Sequence, residues 1–181
     1  MTQQPWEVSY PVATNAGMCA LWQPEHFAHV TDLDAWEDDV AEDVALVRHM
    51  EQGAFVPLNV GGDGAFQITV RGGNGNAGLG DREARYVLVS SQPYLLNSRG
   101  TVALGGLEAV GGAMREDAIE IPVEPGRYSV VVHLIDWKAE PGALTIEGRP
   151  SENALPDFLV EINEVFTRIE YRINVNTFDR V

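Results

Sequence analysis

The spacing of hydrophobic residues changes along this chain, and the change predicts where a helix ends and strands begin. Between residues 31 and 53 the apolar side chains recur at steps of three and four, the period of an amphipathic helix. The pattern predicts one helix over about residues 32–52, with Thr31 as its N-cap, Asp34 completing a capping-box-like pair, and Gly53 as its end. The predicted buried stripe consists of Leu33, Trp36, Val40, Val44, Val47 and Met50.

On both sides of this segment apolar residues alternate with polar ones, which is the period of a strand. Residues 6–12 predict a strand near the N-terminus, residues 18–22 are a second short apolar run, and most of the predicted strands follow residue 54. Those strands are a hairpin of 56–60 and 66–70, then 86–89, 101–104, 119–123, 128–135, 144–146, 158–162 and 169–175. We expect 86–89, apolar on both faces, to be central, and 169–175 has the clearest alternation.

Turn residues separate these predicted strands. The Pro-Gly pairs at 125–126 and 141–142 are typical of type II turns. About nine short strands with frequent turns indicate a mainly β fold, an antiparallel β-sandwich or partly open barrel, with one amphipathic acidic helix near the N-terminal third. The chain has 181 residues and no internal repeat or long linker, which predicts a single β-rich domain over residues 1–181.

Three stretches also carry a family resemblance: residues 82–89 (REARYVLV), 123–130 (VEPGRYSV) and 133–137 (HLIDW). The second is a Pro-Gly turn followed by a tyrosine in an alternating strand, similar to the corner that starts a late strand in many bacterial β-sandwich domains. Over about residues 50–142 the chain resembles a group of bacterial proteins known only as a domain of unknown function. That resemblance implies a β-sandwich and assigns no catalytic residue.

The net charge of the chain limits the classes of partner that we expect. With 27 acidic and 12 basic residues, the formal net charge is −15, which repels phosphate backbones and anionic membranes. We therefore predict no nucleic-acid partner and no membrane association, and a homo-oligomer is left open. The absence of a signal-like apolar stretch before Trp22, together with the single cysteine, Cys19, favours a cytoplasmic location.

The predicted helix begins with a run of acids: residues 32–43 contain seven acidic residues and no basic one. Acids suit the first turns of a helix, but like charges four residues apart cost about 0.2–0.5 kcal/mol per pair. Two interpretations stay open, a solvated surface and a docking surface for a basic protein partner. The residues assigned to the docking surface are Asp34, Asp38, Asp39, Glu42 and Asp43.

Candidate ligand-binding residues are sparse. His26 and His29 lie three apart, ahead of Asp32 and Asp34, and form a candidate metal pair, although a surface pair flanking a core Phe27 explains the same spacing. The charge of His49 suits the end of the predicted helix.

The glycines at residues 73–78 match a dinucleotide fingerprint, but no helix of useful length follows them, so we interpret a Gly/Asn loop. Asn74 and Asn76 of that loop, with Trp137 at a strand end, are the candidate ligand-binding residues.

These observations support three functional hypotheses and no cofactor. The first is a non-catalytic binding or regulatory protein, such as an immunity-type protein that docks a basic partner. The second is a small-molecule or carbohydrate-binding sandwich. The third is a metal-assisted enzyme that uses His26 and His29. The chain contains no Gly-x-Ser-x-Gly, His-Glu-x-x-His, Walker or Cys-x-x-Cys motif, so the sequence favours a protein that is not an enzyme.

Overall fold

The computed structural model describes residues 4–73, 78–113, 117–165 and 167–179. They form a mainly β fold around one open sheet of eight strands. The strands are β1 (Trp6–Thr14), β2 (Cys19–Trp22), β3 (Phe55–Leu58), β4 (Gly64–Gly72), β5 (Val87–Ser90), β6 (Tyr94–Gly106), β7 (Ile119–Ile135) and β8 (Phe158–Glu164). The α-helices are α1 (Leu33–Trp36), α2 (Asp43–Glu51) and α3 (Asp81–Tyr86). No described helix is long and apolar enough to cross a membrane.

The sheet runs in the order β1-β4-β8-β7-β6-β2-β3, with β5 attached to β7. Its described pairs are antiparallel except β4 with β8. Strand β1 also contacts β2 and β6 through side chains of the core, because the sheet curls around that core without closing. The mainly β prediction is confirmed, whereas the sandwich is not, since these strands belong to a single sheet.

The length of β7 explains why one sheet continues where separate strands were predicted. Residues 124–126 lie inside this 17-residue strand instead of ending it. Opposite them the pairing with β6 shifts register between Ser98 and Gly100, which is a bulge. Pro125 has no N–H to give to a ladder, and a bulge is where a strand tolerates that loss. The Pro-Gly pair at 141–142 does form the predicted turn, with Gly142 at φ 83° and Ala143 N donating to Glu140 O.

Two strand predictions, the hairpin and residues 86–89, are right about the strands and wrong about their place in the sheet, and two others, 144–146 and 169–175, predict strands that do not form. The predicted hairpin strands do not pair with each other: β3 pairs with β2, and β4 pairs with β1 and β8. Residues 86–89 are the end of α3 and most of β5, but among the described residues this short strand pairs with β7 alone and is not central. Residues 144–146 contribute one isolated bridge, between Leu144 and Pro150.

Residues 169–175 contain no strand, because side-chain bonds hold this segment in place of a ladder. Buried Arg172 donates to the hydroxyl of Tyr94 at 3.1 Å and to a carboxylate oxygen of Asp179 at 2.9 Å. Further along, Thr177 Oγ1 donates to the carbonyl of Pro57 at 2.7 Å, so the C-terminal segment closes over the edge strand β3.

The predicted single helix is divided. Asp32, not Thr31, caps α1 by accepting from Ala35 N at 2.8 Å. A π-helical turn, Glu37–Ala41, follows α1, and Glu42 is extended at φ −92°, ψ 133°, before α2 begins. The break changes which side chains face the core.

Only part of the predicted stripe is buried after that break. Val40 and Met50 are buried and Trp36 and Val47 are half-buried. Leu33 and Val44 remain 49% and 75% exposed, because Ala45, Leu46 and His49 occupy the inner face of α2 together with Met50.

Two segments cover the sheet. Residues 24–51, which we call the first cover, pack on β3 and β6, and their Phe27, Val30 and Leu46 belong to the main hydrophobic core. Residues 79–86 and 136–157, the second cover, form a smaller cluster of their own with Ile135 of β7 and Leu159 of β8.

Candidate functional site

The acidic segment, residues 32–43, forms an exposed surface of the first cover. Asp34, Asp38, Glu42 and Asp43 are exposed, and none forms an ion pair with any residue that the structure describes. The exposed Leu33 lies among them. A surface with unpaired charge and an apolar side chain has the chemistry of a docking surface, because carboxylates attract a basic partner and apolar area adds burial.

Asp39 differs from the other acids because histidines hold it. His29 Nε2 lies 2.5 Å from Asp39 Oδ2, and His49 Nε2 lies 2.8 Å from the Asp39 carbonyl oxygen. A carbonyl only accepts, so His49 donates through Nε2. His49 Nδ1 lies 2.8 Å from His26 Nε2 and accepts from it whenever the His49 ring carries one proton.

The environment shifts two pKa values in this histidine cluster of His26, His29, His49 and Asp39. Burial, followed by the nearby charge of His49, lowers the pKa of His26. Burial raises the pKa of Asp39, but the hydrogen bond from His29 and the charge of His49 outweigh it, so the net shift is downward. Asp39 is therefore a positioned carboxylate that fixes the middle of the acidic segment.

The cluster bears directly on the predicted metal pair. The structure brings His26 and His29 near each other together with His49, whose role the sequence did not reveal. Their bonded nitrogens point at one another or at Asp39. Among the described residues no group of three or more His, Cys, Asp or Glu side chains could hold a metal ion. A metal at His26 and His29 stays a prediction.

Two contacts attach the acidic segment and the residues just before it to the residues after β6. Trp36 Nε1 donates to the carbonyl of Leu107 at 3.2 Å, and Gly112 N donates to the carbonyl of Val30 at 2.8 Å. Gly111 has φ +75°, and a Cβ there would lie 2.5 Å from the Val30 carbonyl oxygen, so only glycine fits. The surface is thereby held at its start and its middle.

The predicted ligand-binding residues divide between the described and undescribed parts of the chain. Asn74 and Asn76 lie outside the described residues. Trp137 is 9% exposed, and its Nε1 donates to Asp157 Oδ1 at 2.8 Å. It borders a cleft of about 390 Å³ that also contains Ser9 and Thr69, whose hydroxyls bond each other at 2.6 Å.

A second polar cluster, which the sequence analysis missed, lies on the sheet near α3. Ser90 Oγ is 2.6 Å from His133 Nδ1, and His133 Nε2 is 3.4 Å from Glu161 Oε2. In a serine-hydrolase triad the imidazole has the opposite orientation, with the serine hydroxyl bonded to Nε2. The backbone N–H of Ser91 already donates to the Val132 carbonyl, so it is not free to stabilise an oxyanion. We therefore assign this cluster no catalysis.

Comparisons with known proteins identify the fold but no family. No family model matches the chain, and no curated protein matches it. A solved structure described as Crocagin biosynthetic gene J matches with a TM-score of 0.58 at 16% identity, covering 91% of this chain and 99% of that one. The structure of ComJ from Bacillus subtilis, described as an inhibitor of the DNA-degrading activity of NucA, matches with a TM-score of 0.51 at 9% identity and the same coverage.

Proposed function

We propose that this chain is a non-catalytic protein that binds a basic protein and restrains its activity, with the acidic segment as its docking surface. The carrying observation is the set of exposed carboxylates of residues 32–43, Asp39 apart, that form no ion pair within the part of the chain that the structure describes. The shared fold with ComJ supports an inhibitor-type role and makes a DNA-degrading enzyme the favoured partner class. Such an enzyme must bind phosphates through basic side chains, which an acidic protein surface complements.

The fixed geometry of the segment supports the same proposal. Asp39 is held by His29 and His49, and Trp36 is bonded to Leu107, so the surface needs little ordering when a partner binds. A surface that is ordered in advance loses less conformational entropy on association. The exposed Leu33 and Val44 add apolar area to the carboxylates.

A charge-matched pair of variants tests the docking surface. Asp38→Asn with Glu42→Gln removes two carboxylates of the acidic segment and leaves Asp39 in place. Glu152→Gln with Glu170→Gln removes two exposed carboxylates elsewhere, so both variants have the same net charge. Each protein is used to recover basic proteins from lysate of its native cells, and each recovered protein is assayed for DNA degradation with and without the parent chain.

We expect the parent and the Glu152/Glu170 variant to retain and inhibit the same basic enzyme, and the Asp38/Glu42 variant to bind it more weakly. The loss should come mainly from slower association and should shrink as salt is raised, because screening weakens steering between exposed charges. Equal binding by both variants would contradict docking through the acidic segment. Recovery of an enzyme that the parent does not inhibit would contradict the inhibitory role.

A small polar ligand in the Trp137 cleft is the second candidate function. The favouring observation is the cleft itself, where an indole and the hydroxyls of Ser9 and Thr69 share about 390 Å³. Sugars and other small polyols bind in clefts that place aromatic side chains beside a few polar groups. The test is a titration with a panel of monosaccharides that follows tryptophan fluorescence. A saturable change that is absent in Trp137→Phe would support this function. An unchanged signal with every sugar would exclude that ligand class.

A further inference from the structure

A groove of about 540 Å³ opens directly beside the start of the acidic segment. The side chains of Trp22 and Phe27 border its inner side, and Thr31, the residue before the segment, forms part of its wall. The opposite wall comes from the residues after β6 and from the start of β7, including Asp117 and Glu120. The groove and the acidic segment are therefore continuous surfaces.

Small residues keep this groove open. Ala28, Ala103, Ala109, Gly111, Gly112 and Ala118 line it, while Trp22 and Phe27 are almost wholly buried beneath. The wall at Gly111 is fixed, because Gly112 N donates to Val30 O and a Cβ on Gly111 would collide with that carbonyl. Protein groups that are closely packed and hydrogen-bonded in this way form a rigid wall.

The rim of the groove is acidic. Asp117 and Glu120 are exposed, and neither forms an ion pair with a described residue. No lining residue in the described part of the chain is basic. An apolar floor below free carboxylates complements a side chain with an aliphatic stem and a cationic head. Arginine fits better than lysine, because its planar guanidinium bonds a carboxylate through two parallel N–H groups.

We propose that this groove receives an arginine-bearing loop of the basic partner, with the aliphatic stem on the floor and the guanidinium against Asp117 and Glu120. The inference rests on the proposed function and extends it, because it adds a shaped contact to a charged surface. The acidic segment attracts the partner over a distance, whereas the groove selects a particular side chain. Exposed charge mainly raises the rate of association, whereas a filled pocket adds specificity for one side chain.

A pair of isosteric peptides tests the groove without the partner. Acetyl-Gly-Arg-Gly-amide and its citrulline analogue, in which a neutral urea of the same shape replaces the guanidinium, are titrated into the ¹⁵N-labelled full chain. We expect the arginine peptide to shift the amide signals of Gly111, Gly112 and Ala118. The exposed-site variant Asp117→Asn with Glu120→Gln should bind it about fivefold more weakly, the scale of a lost exposed ion pair.

The outcomes separate this inference from the proposed function. Equal shifts with both peptides, or shifts confined to residues 32–43, would overturn the arginine site. The variant Asp38→Asn with Glu42→Gln should leave the groove shifts in place, since its carboxylates do not line the groove. Failure of the lysate experiment with intact peptide binding would therefore count against the acidic segment, and the reverse result would count against the groove.

Discussion

The two segments that cover the sheet differ in their balance of charged residues and in how those residues are paired. The first cover, residues 24–51, contains nine acidic residues and one basic residue, Arg48. The second cover, residues 79–86 and 136–157, contains seven acidic and four basic residues. In the second cover carboxylates are paired: Glu83 bonds Arg71, and Glu140 bonds Arg82. These two pairs join the second cover to β4 and join its two parts to each other. In the first cover Glu25 pairs with Arg99, but the exposed acids of residues 32–43 form no ion pair with a described residue.

Their apolar contacts differ as well. The first cover contributes Phe27, Val30, Val40, Leu46 and Met50 to the main core of the protein. The second cover packs around Trp137 in a separate small cluster. Hydrophobic burial therefore provides most of the attachment of the first cover, whose ion pair to the sheet, Glu25 with Arg99, is exposed. In the second cover two ion pairs supplement a smaller apolar cluster.

The largest expected effect is the loss of an anchor of the first cover. Phe27 is fully buried and its ring packs edge-on against His49 and Phe55. We expect Phe27→Ala to lower the free energy of unfolding by about 3–5 kcal/mol, the range for a truncated core aromatic. Urea denaturation monitored by circular dichroism measures the change, with Phe27→Leu as a milder control. A midpoint equal to that of the parent would show that the first cover is not part of the core.

A smaller loss is expected when an ion pair of the second cover is broken. Arg71 and Glu83 are 15% and 14% exposed and are joined by two hydrogen bonds, at 2.6 and 2.8 Å. We expect Glu83→Gln to cost about 1–2 kcal/mol, less than a fully buried pair, because Glu7 still bonds Arg71 and water reaches both groups. Denaturation of the variant at pH 7 checks this value, and an unchanged stability would remove the contrast between the covers.

The periodic pattern predicted the β-rich class and the helical location of the first cover, but it did not predict the break at Glu42. A three-and-four spacing continues through residues 31–53, yet a single extended residue turns Val44 outward. Tertiary bonds determine that break: the Asp39 carbonyl takes its hydrogen bond from His49. Such a bond joins residues ten apart, and no local propensity encodes it.

The same limit explains the strand errors and the missed cluster. Residues 169–175 alternate as a strand would, but the buried guanidinium of Arg172 bonds the Tyr94 hydroxyl and the Asn176 carbonyl instead of leaving a ladder to form. The exposed carboxylates of the acidic segment were foreseeable, because a run of acids without bases has no internal partner nearby. Ser90, His133 and Glu161 were not, since three separate strands bring them together.

The two covers should lose stability in different pH windows. The pKa of His26 is lowered in the folded protein, so as the pH falls below about 6.5 the unfolded chain binds a proton that the folded chain does not. Glu83 also has a lowered pKa, since its bonds to Arg71 outweigh burial, but its stabilisation is lost only as the pH falls below about 4.5. We expect His26→Gln to flatten the stability curve between pH 5 and 7 and to leave the acid limb unchanged.

Denaturant midpoints measured across that range, with Glu83→Gln as the matched variant, check the assignment. Glu83→Gln should flatten the curve below about pH 4.5 and leave the region near pH 6 as in the parent. A His26→Gln curve parallel to the parent throughout would show that another group governs the upper window.

The smallest expected effect is a change in the stability of the protein whose sign differs between the two covers. Asp34 and Asp38 are four residues apart, exposed and unpaired among the described residues, so Asp34→Asn with Asp38→Asn should stabilise the protein by about 0.2–0.5 kcal/mol through reduced repulsion. Glu140→Gln, which removes one carboxylate of the second cover, should instead destabilise, because Arg82 loses its partner. Both differences should shrink in 1 M salt, where the screening length is about 3 Å. Thermal unfolding at low and high salt measures the sign of both stability changes. If the Asp34/Asp38 variant were destabilised, those carboxylates would have a structural role within this chain, through a bond or through attraction to the start of α1, and the case for an external basic partner would lose its main support.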